Sequence, residues 1–453
     1  MAYSHTTFST LKSQLASRLN DPTNVFWLDV ELGLYLKEAL RTWNSAAQFH
    51  RDRTVFNTSN GVAFYDLTDT TSTGAGATNP PAYLGYSLKE RDLINDIQYH
   101  LLESVNDWGA SVTWGGTEMF TMADLTQAIE RRRNQFLLET GLHLTRSTTV
   151  FGSPPGSGRV TLSDAVIDVR RVSWLPATVG SKYVVLWRVD EWDAGAFKPK
   201  WAEVTGTPEA HSVFMTPKVG LQLIPVSNDS GTLDLVTVQT GATLDESTGV
   251  LLKVPDDLAW GVKWGALADL LSREGQSMDP LRAQYAEQRW RECLAVAQAL
   301  GTVQQGQLNG VTLQLTTLAE LDFYSPSWQN SSGTPDFVGV AGRNMIVLAD
   351  IPDAGPYSVT LDVIRNAPVP TFGSDQVQIG REHLDVILDY GVHLASFKLG
   401  GAEFQATIPL YENFMRLAIE HGNRLRAEAL SWESLRMVSK KEESDRPRRW
   451  EAA

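Results

Sequence analysis

Asp190, Glu191 and Asp193 crowd three carboxylates into four positions, the raw material from which a glycosidase takes its acid and its nucleophile. They sit in a turn-like segment, and their counterparts one repeat later, Glu320 and Asp322, bring no other catalytic companion, so a solvated turn is the expectation. The histidines, His5, His50, His100, His143, His211, His383, His393 and His421, are scattered. His383 and His393 lie ten apart, on different faces of one helix, which is a poor ligand set. Cys293 is the single cysteine, which rules out an intramolecular disulfide and leaves a cysteine-based zinc site without partners. Asn228-Asp229-Ser230-Gly231 lacks the alternating carboxylates and closing Glu of a calcium loop and reads as a hairpin turn. No Gly-x4-Gly-Lys-Ser/Thr, Gly-x-Gly-x-x-Gly, His-Glu-x-x-His or Gly-x-Ser-x-Gly pattern occurs, so the usual nucleotide, zinc and hydrolase chemistries are not signalled. The expectation is a chain that is not an enzyme and needs no cofactor or metal.

What does recur is architectural. Pro199-x-Trp201-x4-Gly206-Thr207-Pro208 returns as Pro326-x-Trp328-x4-Gly333-Thr334-Pro335, displaced by 127 residues. Ile224-Pro225 has the same spacing to Ile351-Pro352, and Thr232-Leu233-Asp234 returns one residue out of phase as Thr360-Leu361-Asp362. At a displacement of 126, Leu258, Gly265, Gly275 and Tyr285 meet Leu384, Gly391, Gly401 and Tyr411, and Trp264 meets Tyr390. That period is the size of a small domain rather than of a solenoid repeat. The same alignment sets His393 opposite Leu267, predicting a partly buried core histidine. The 14 tryptophans could form sugar platforms, but several fall on helix stripes or in the repeated pattern, where core and interface anchoring is the expected role.

The elements that carry these residues can be read from periodicity. Apolar steps of three and four predict helices over 8–19, capped by Thr7, and over 30–50, capped by Asp29. Residues 53–56 and 62–67 predict a hairpin across Ser59-Asn60-Gly61, and a second hairpin is expected around 152–156. The Thr/Gly/Ala/Pro stretch 68–81 reads as a loop and a contact arm. Helices resume over 87–104 and 121–140, and Thr54-Val55-Phe56 matches Thr149-Val150-Phe151 in sequence. A β-rich half over 160–244 precedes a helical half, with Gly275 ending one helix and Pro280 opening the next. The second copy repeats this plan, with a shortened β part over 310–364 and helices over 381–399 and 407–433. Residues 439–453 hold Lys440, Lys441, Arg446, Arg448, Arg449 and Trp450 without an apolar stripe and read as a disordered tail.

The expected fold class is α+β: a helical bundle with β-rich insertions, the β-plus-helical-pair module present twice. The expected domains are 1–145, a helical region with a hairpin; 146–305, the first module; 306–435, the second; and 436–453, the charged tail. At 453 residues and 42% apolar composition there is material for several cores. No run of about 18 apolar residues predicts a membrane span, and the amino terminus lacks a secretory pattern, so synthesis in a cytosol is expected. Lys and Arg number 39 against 53 Asp and Glu, a net charge of −14 that disfavours sequence-specific DNA binding while suiting a conduit through which DNA slides.

Residues 20–40, with Asn20-Asp21-Pro22, Trp27, Asp29, Glu31-Leu32, Tyr35-Leu36 and Glu38-Ala39-Leu40, resemble the first helices of the head-to-tail connector, or adaptor, proteins of tailed bacteriophages. Val169-Arg170-Arg171-Val172, Asp190-Glu191, Trp201, Gly206-Thr207-Pro208 and Gly231-Thr232-Leu233 follow in the order of that family's β insertion. The resemblance implies a virion neck protein, assembled in the host cytoplasm as a homo-oligomeric ring, commonly of twelve copies. It also implies portal and tail proteins as partners, genomic DNA passing non-specifically through the channel, and a carboxy-terminal segment, here Lys440 to Trp450, reaching the portal. The length and the second module make this an enlarged form. The competing readings are a virion or secreted carbohydrate-binding protein, or wall hydrolase, using Trp201 and Trp328 as sugar platforms, and another phage ring component such as a tail-tube or nozzle protein.

Overall fold

A computed structural model describes residues 5–68, 85–101, 119–151, 158–178, 180–215, 218–241, 243–244, 249–275, 278–353 and 356–444. The chain begins with α1 (Phe8–Arg18), α2 (Asp29–Ala47), β1 (Arg51–Asn57) and β2 (Phe64–Asp66). Then come α3 (Glu90–Leu101), α4 (Met122–Thr140), β3 (Leu144–Phe151), β4 (Arg159–Thr161), β5 (Val166–Pro176) and β6 (Val184–Arg188). They are followed by α5 (Glu191–Phe197), β7 (Thr205–Gly206), β8 (Ala210–Phe214), β9 (Gly220–Ile224), β10 (Val226–Ser227), β11 (Gly231–Gln239), α6 (Ala259–Leu271) and α7 (Pro280–Ala299). The chain continues with β12 (Val303–Leu308), β13 (Val311–Thr317), α8 (Leu318–Tyr324), β14 (Ser332–Gly333), β15 (Phe337–Ala341) and β16 (Met345–Ala349). It closes with β17 (Ile351–Pro352), β18 (Ser358–Ile364), α9 (Leu384–Leu399) and α10 (Gly401–Ser444).

Two seven-stranded sheets have the same plan. One runs β3-β11-β5-β6-β8-β9-β4 and the other β1-β18-β12-β13-β15-β16-β2, and each is antiparallel except for one parallel pair at the same place, β6–β8 and β13–β15. The module is therefore present twice, with one copy nested in the other. The outer copy starts with α1 to β2, is interrupted by the whole inner copy from α3 to α7, and resumes at β12. This corrects two expectations. β1 and β2 do not form a hairpin, because β1 pairs along seven residues with β18 while β2 pairs with β16 at the opposite edge; β3 and β4 behave likewise. A three-residue partner offers too few hydrogen bonds to compete with the long strand that returns later. The outer β half is also not confined to 310–364, since it opens at Val303 and takes its edge strands from 51–66.

The pairing tests the internal register. Thr232 faces Val150 and Thr360 faces Val55, so the repeated Thr-Leu-Asp and the matching Thr-Val-Phe segments are equivalent in space. The Ile-Pro repeat is out of register by two. Ile224 pairs with Ala210 and Ala349 with Phe337, because the β8–β9 connection is two residues longer than that between β15 and β16. The two cis peptide bonds, Ile224–Pro225 and Ala349–Asp350, follow these residues. On one face of the inner sheet Val172, Trp174, Leu233 and Leu235 belong to a core, and on the outer sheet Phe56, Val359, Leu361 and Val363 do the same.

Contact divides the chain into residues 1–50 with 367–453, and residues 51–366. These units do not coincide with the module boundaries, because the outer copy contributes its helices to the first and its sheet to the second. In the first unit α2 packs on α9 and α10, with α1 against α2 and α9; in the second α4 packs on α6 and α7, with α3 against α4 and α6. A comparable ion pair joins the helices of each unit: Lys398 Nζ lies 2.9 Å from the buried Glu31, and Arg273 Nη1, one position off the equivalent of Lys398, lies 2.5 Å from the more exposed Asp124. So does an aromatic contact, Trp264–Tyr285 at 5.6 Å and Tyr390–Tyr411 at 5.7 Å between ring centroids.

Several helix ends differ from expectation. Thr7 caps α1 as expected, but the cap position of α2 is Leu28, and Asp29 lies inside the helix, ion-paired to Lys12. Helix α6 stops at Leu271, four residues before Gly275, which holds a φ of +141° in the turn beyond. Helix α10 accommodates Pro409 and runs on to Ser444, so residues 439–444, including Lys440 and Lys441, are helical backbone and not the disordered tail expected there.

Candidate functional site: a crossover and the sheet face it covers

A parallel pair inside an otherwise antiparallel sheet needs a crossover, because the chain must return to the starting edge before the next strand. In the inner copy the crossover from β6 to β8 is α5 and the Trp201 turn; from β13 to β15 it is α8 and the Trp328 turn. The repeated Pro-x-Trp-x4-Gly-Thr-Pro is this crossover. Its Gly and Pro do the same work twice. Gly206 in β7 pairs in parallel with β10 and Gly333 in β14 with β17, Thr207 and Thr334 are exposed, and Pro208 and Pro335 are buried.

Its tryptophans do not. Trp328 is 1% exposed, while Trp201 is only partly buried. The outer crossover lies against the inner sheet, on the face opposite that sheet's core. Arg171 of β5 donates from Nε and Nη2 to the two carboxylate oxygens of Asp322 at 2.6 and 2.9 Å, and from Nη2 to Gln329 Oε1 at 2.8 Å. Trp328 Nε1 donates to the same Asp322 at 2.9 Å, and the Arg171 guanidinium stands 5.4 Å from the Trp328 ring. Gln329 Nε2 reaches Asp234 of β11 at 3.0 Å, and Arg146 of β3 grips that carboxylate with two bonds of 2.8 and 3.0 Å. Two asparagines complete the junction by reading backbone. Asn330 bonds both the N–H and the carbonyl of Tyr183, and Asn344 both those of Leu144.

The Arg171 and Asp322 side chains are 4% and 9% exposed, so this pair is held by bidentate geometry and surrounding donors in a site that water hardly reaches. Beside it opens a cavity of about 840 Å3, lined by Arg170, Arg171, Arg188, His211, Glu320 and Arg343 among others. Burial depresses the His211 pKa to about 4 against the raising effect of its bond to the Leu186 carbonyl, and the nearby Arg188 charge adds to the depression.

Both faces of this junction exist a second time. Strand β11 is buried along both sides, whereas β18 alternates buried and half-buried positions, its polar face carrying Asp362 beside Arg53 with side chains 33% and 60% exposed. The inner crossover is likewise open: Ala202, Glu203 and Val204 are exposed, Trp192 of α5 is 87% exposed, and Trp187 at the end of β6 is 54% exposed.

The other sequence candidates fall as follows. Asp190 caps α5 and accepts from the Trp192 N–H; Glu191 and Asp193 are exposed on that short helix and not in a turn. Asp322, their counterpart region's acid, is buried in the junction. His393 is fully buried, bonded to Thr407 Oγ1 at 2.9 Å. Arg446, Arg448, Arg449, Trp450 and most of the 68–81 arm lie outside the described residues. Asp234 was marked by the Thr-Leu-Asp repeat and Arg171 by the family resemblance, but nothing in residue type or spacing joined them to each other or to Gln329; the one available signal was the Thr-Val-Phe match, which ties the two sheets strand to strand.

Residues 91–309 match the model of the SU10 adaptor protein family. The inner copy is thus similar to a phage adaptor. The match runs from α3 through α7 into β12 and covers just under half of the chain; the adaptor similarity thus coincides with one complete module. Among curated proteins none matches the chain. Among the described residues no helix is long and apolar enough to cross a membrane.

Asp322→Ala strands a buried guanidinium, and urea unfolding should show a loss of about 3–5 kcal/mol, whereas Arg171→Met with Asp322→Leu should recover most of it; additive losses would contradict the pairing. For His211 the unfolded imidazole takes its proton near pH 6.5 and the folded one near 4, so stability falls as pH drops through that window. His211→Val, which installs the residue of the equivalent Val338, should flatten that acid loss by up to about 3 kcal/mol in urea melts between pH 7 and 4. Equal slopes would remove His211 from the account.

Proposed function

We propose that the chain is a structural virion protein of a tailed bacteriophage, an adaptor that joins the portal of the capsid to the tail. The observation that carries this reading is the coincidence of the adaptor family match with one whole module, helices and sheet together. The second copy makes it an enlarged adaptor, with two modules per chain. Its work is mechanical: copies associate into a ring at the neck, twelve by the family resemblance, and the ring extends the channel through which the genome passes. A net charge of −14 suits such a wall, since DNA is repelled and slides without sticking. The ring assembles in the host cytoplasm from subunits meeting through heterologous faces, the kind of contact that closes when its rotation divides a full turn.

Lys440, Lys441, Arg446, Arg448, Arg449 and Trp450 form a basic, aromatic end to the acidic chain and serve as the portal contact. Negative-stain imaging of the purified chain with portal particles should show collars on the portal, and deletion of residues 439–453 should abolish docking. Docking that survives the deletion rejects the tail's role. Monomers that ignore the portal and bind glycan overturn the adaptor reading in favour of a carbohydrate-binding protein.

A further inference from the structure

The junction described above is a contact between unlike faces of two like modules: the outer crossover sits on the inner sheet. Each module owns both faces, so one contact made inside the chain leaves one of each unused. Among the described residues the unused crossover is α5 with the Trp201 turn, and the unused sheet face is that of β18 and β1 around Asp362 and Arg53. We propose that these two faces meet between copies, the inner crossover of one chain docking on the outer sheet of the next. This inference rests on the adaptor reading only for the closure of the resulting array into a ring.

The residues at the two unused faces agree with each other. In the internal junction Asp322 meets Arg171. The position equivalent to Asp322 on the inner crossover is Gly195, and the position equivalent to Arg171 on the outer sheet is Thr302, which is 1% exposed and whose carbonyl accepts from the N–H of the equally buried Ile364, so the open part of that face starts at Asp362. The acid and the base are lost together, so docking strands neither. The carboxylate that Gln329 touches is kept: Asp234 corresponds to Asp362, each held by an arginine from the edge strand, Arg146 and Arg53. The tryptophan is kept as well, and Trp201 retains an accessible surface where its counterpart Trp328 is sealed. Finally, the alternating burial of β18 from Ser358 to Val363 against the two-sided burial of β11 is what a sheet shows before and after a partner covers its second face. A contact of this kind is heterologous: it has a donor face and an acceptor face on every copy and propagates from chain to chain.

The internal junction places Gln329 on Asp234, so its external equivalent places Ala202 of one copy beside Asp362 of the next. A chain carrying Ala202→Cys and Asp362→Cys, treated with a short bis-maleimide both alone and bound to portal particles, should give a ladder of dimers, trimers and larger species on a denaturing gel. Each single variant should remain monomeric, and an equimolar mixture of the two singles should stop at the dimer. The native Cys293 is buried, and the unsubstituted chain serves as the control for its reactivity. A double variant without a ladder, or single variants that cross-link as readily as the double, overturns the proposed contact. Collars seen by imaging with no ladder would discard this contact and leave the adaptor reading intact, whereas a ladder from chains that form no collar keeps the contact and discards the ring.

Discussion

One parallel strand pair in each sheet governs the rest of this molecule. Antiparallel neighbours can be joined by a tight turn, but β6 to β8 and β13 to β15 cannot, and the chain must carry a helix and a turn across the sheet to start the next strand. That crossover leaves a short, amphipathic surface projecting from the module. In the outer copy the surface is consumed by the inner sheet, where Trp328, Gln329 and Asp322 are sealed against Arg171 and Asp234. The tryptophan, the glycine and the proline repeat because the crossover repeats.

Nesting follows from how the sheets are completed. The edge strands of the outer sheet come from 51–66, and their partners β18 and β16 arrive only after the inner copy has been threaded. Such long-range pairing is invisible to local reading. The segments 53–56 and 62–67 look like a hairpin, since they are apolar, short and separated by Ser59-Asn60-Gly61, and local turn chemistry argues for joining them. The competing strand wins because it offers β1 seven paired residues. The helices were more legible, for their stripes and caps are local: Thr7 caps α1 as expected, and α4 fills the stretch expected over 121–140. Their ends were less so: α6 stops four residues before Gly275, and α10 continues through the composition that read as a tail.

The repeat itself was legible wherever side chains do the same job twice, as with Tyr285 and Tyr411 or the two Thr-Leu-Asp segments. Ile224-Pro225 and Ile351-Pro352 illustrate the opposite, a spacing that survives by accident across hairpins of different length. Several of the junction's residues were marked one by one, but not the pairing that joins them. Arg171 lies in an alternating strand where a charged residue is expected to face water, and Asp322 stands in an acidic stretch that reads as solvated. Each is buried only because the other module supplies its partner, and a partner brought by tertiary structure leaves no trace in spacing.

The difference between the two crossovers has a physical sense of its own. A contact formed inside one chain forms as that chain folds and has no need to be soluble while open, so it can hold an ion pair whose removal from water is offset by bidentate bonds and by a neighbouring tryptophan. A face that waits in solvent for a separate chain faces another constraint, because association must overcome lost translational freedom and any charge desolvated without compensation weakens it further. In the proposed contact Gly195 meets that constraint by carrying no charge, while Asp362 stays bonded to Arg53 and brings its compensation with it. Joining two modules in one chain also makes every second contact intramolecular, at an effective concentration far above that of free subunits. On the proposed contact, a long, acidic chain that repels its own copies would assemble with half as many encounters between separate partners.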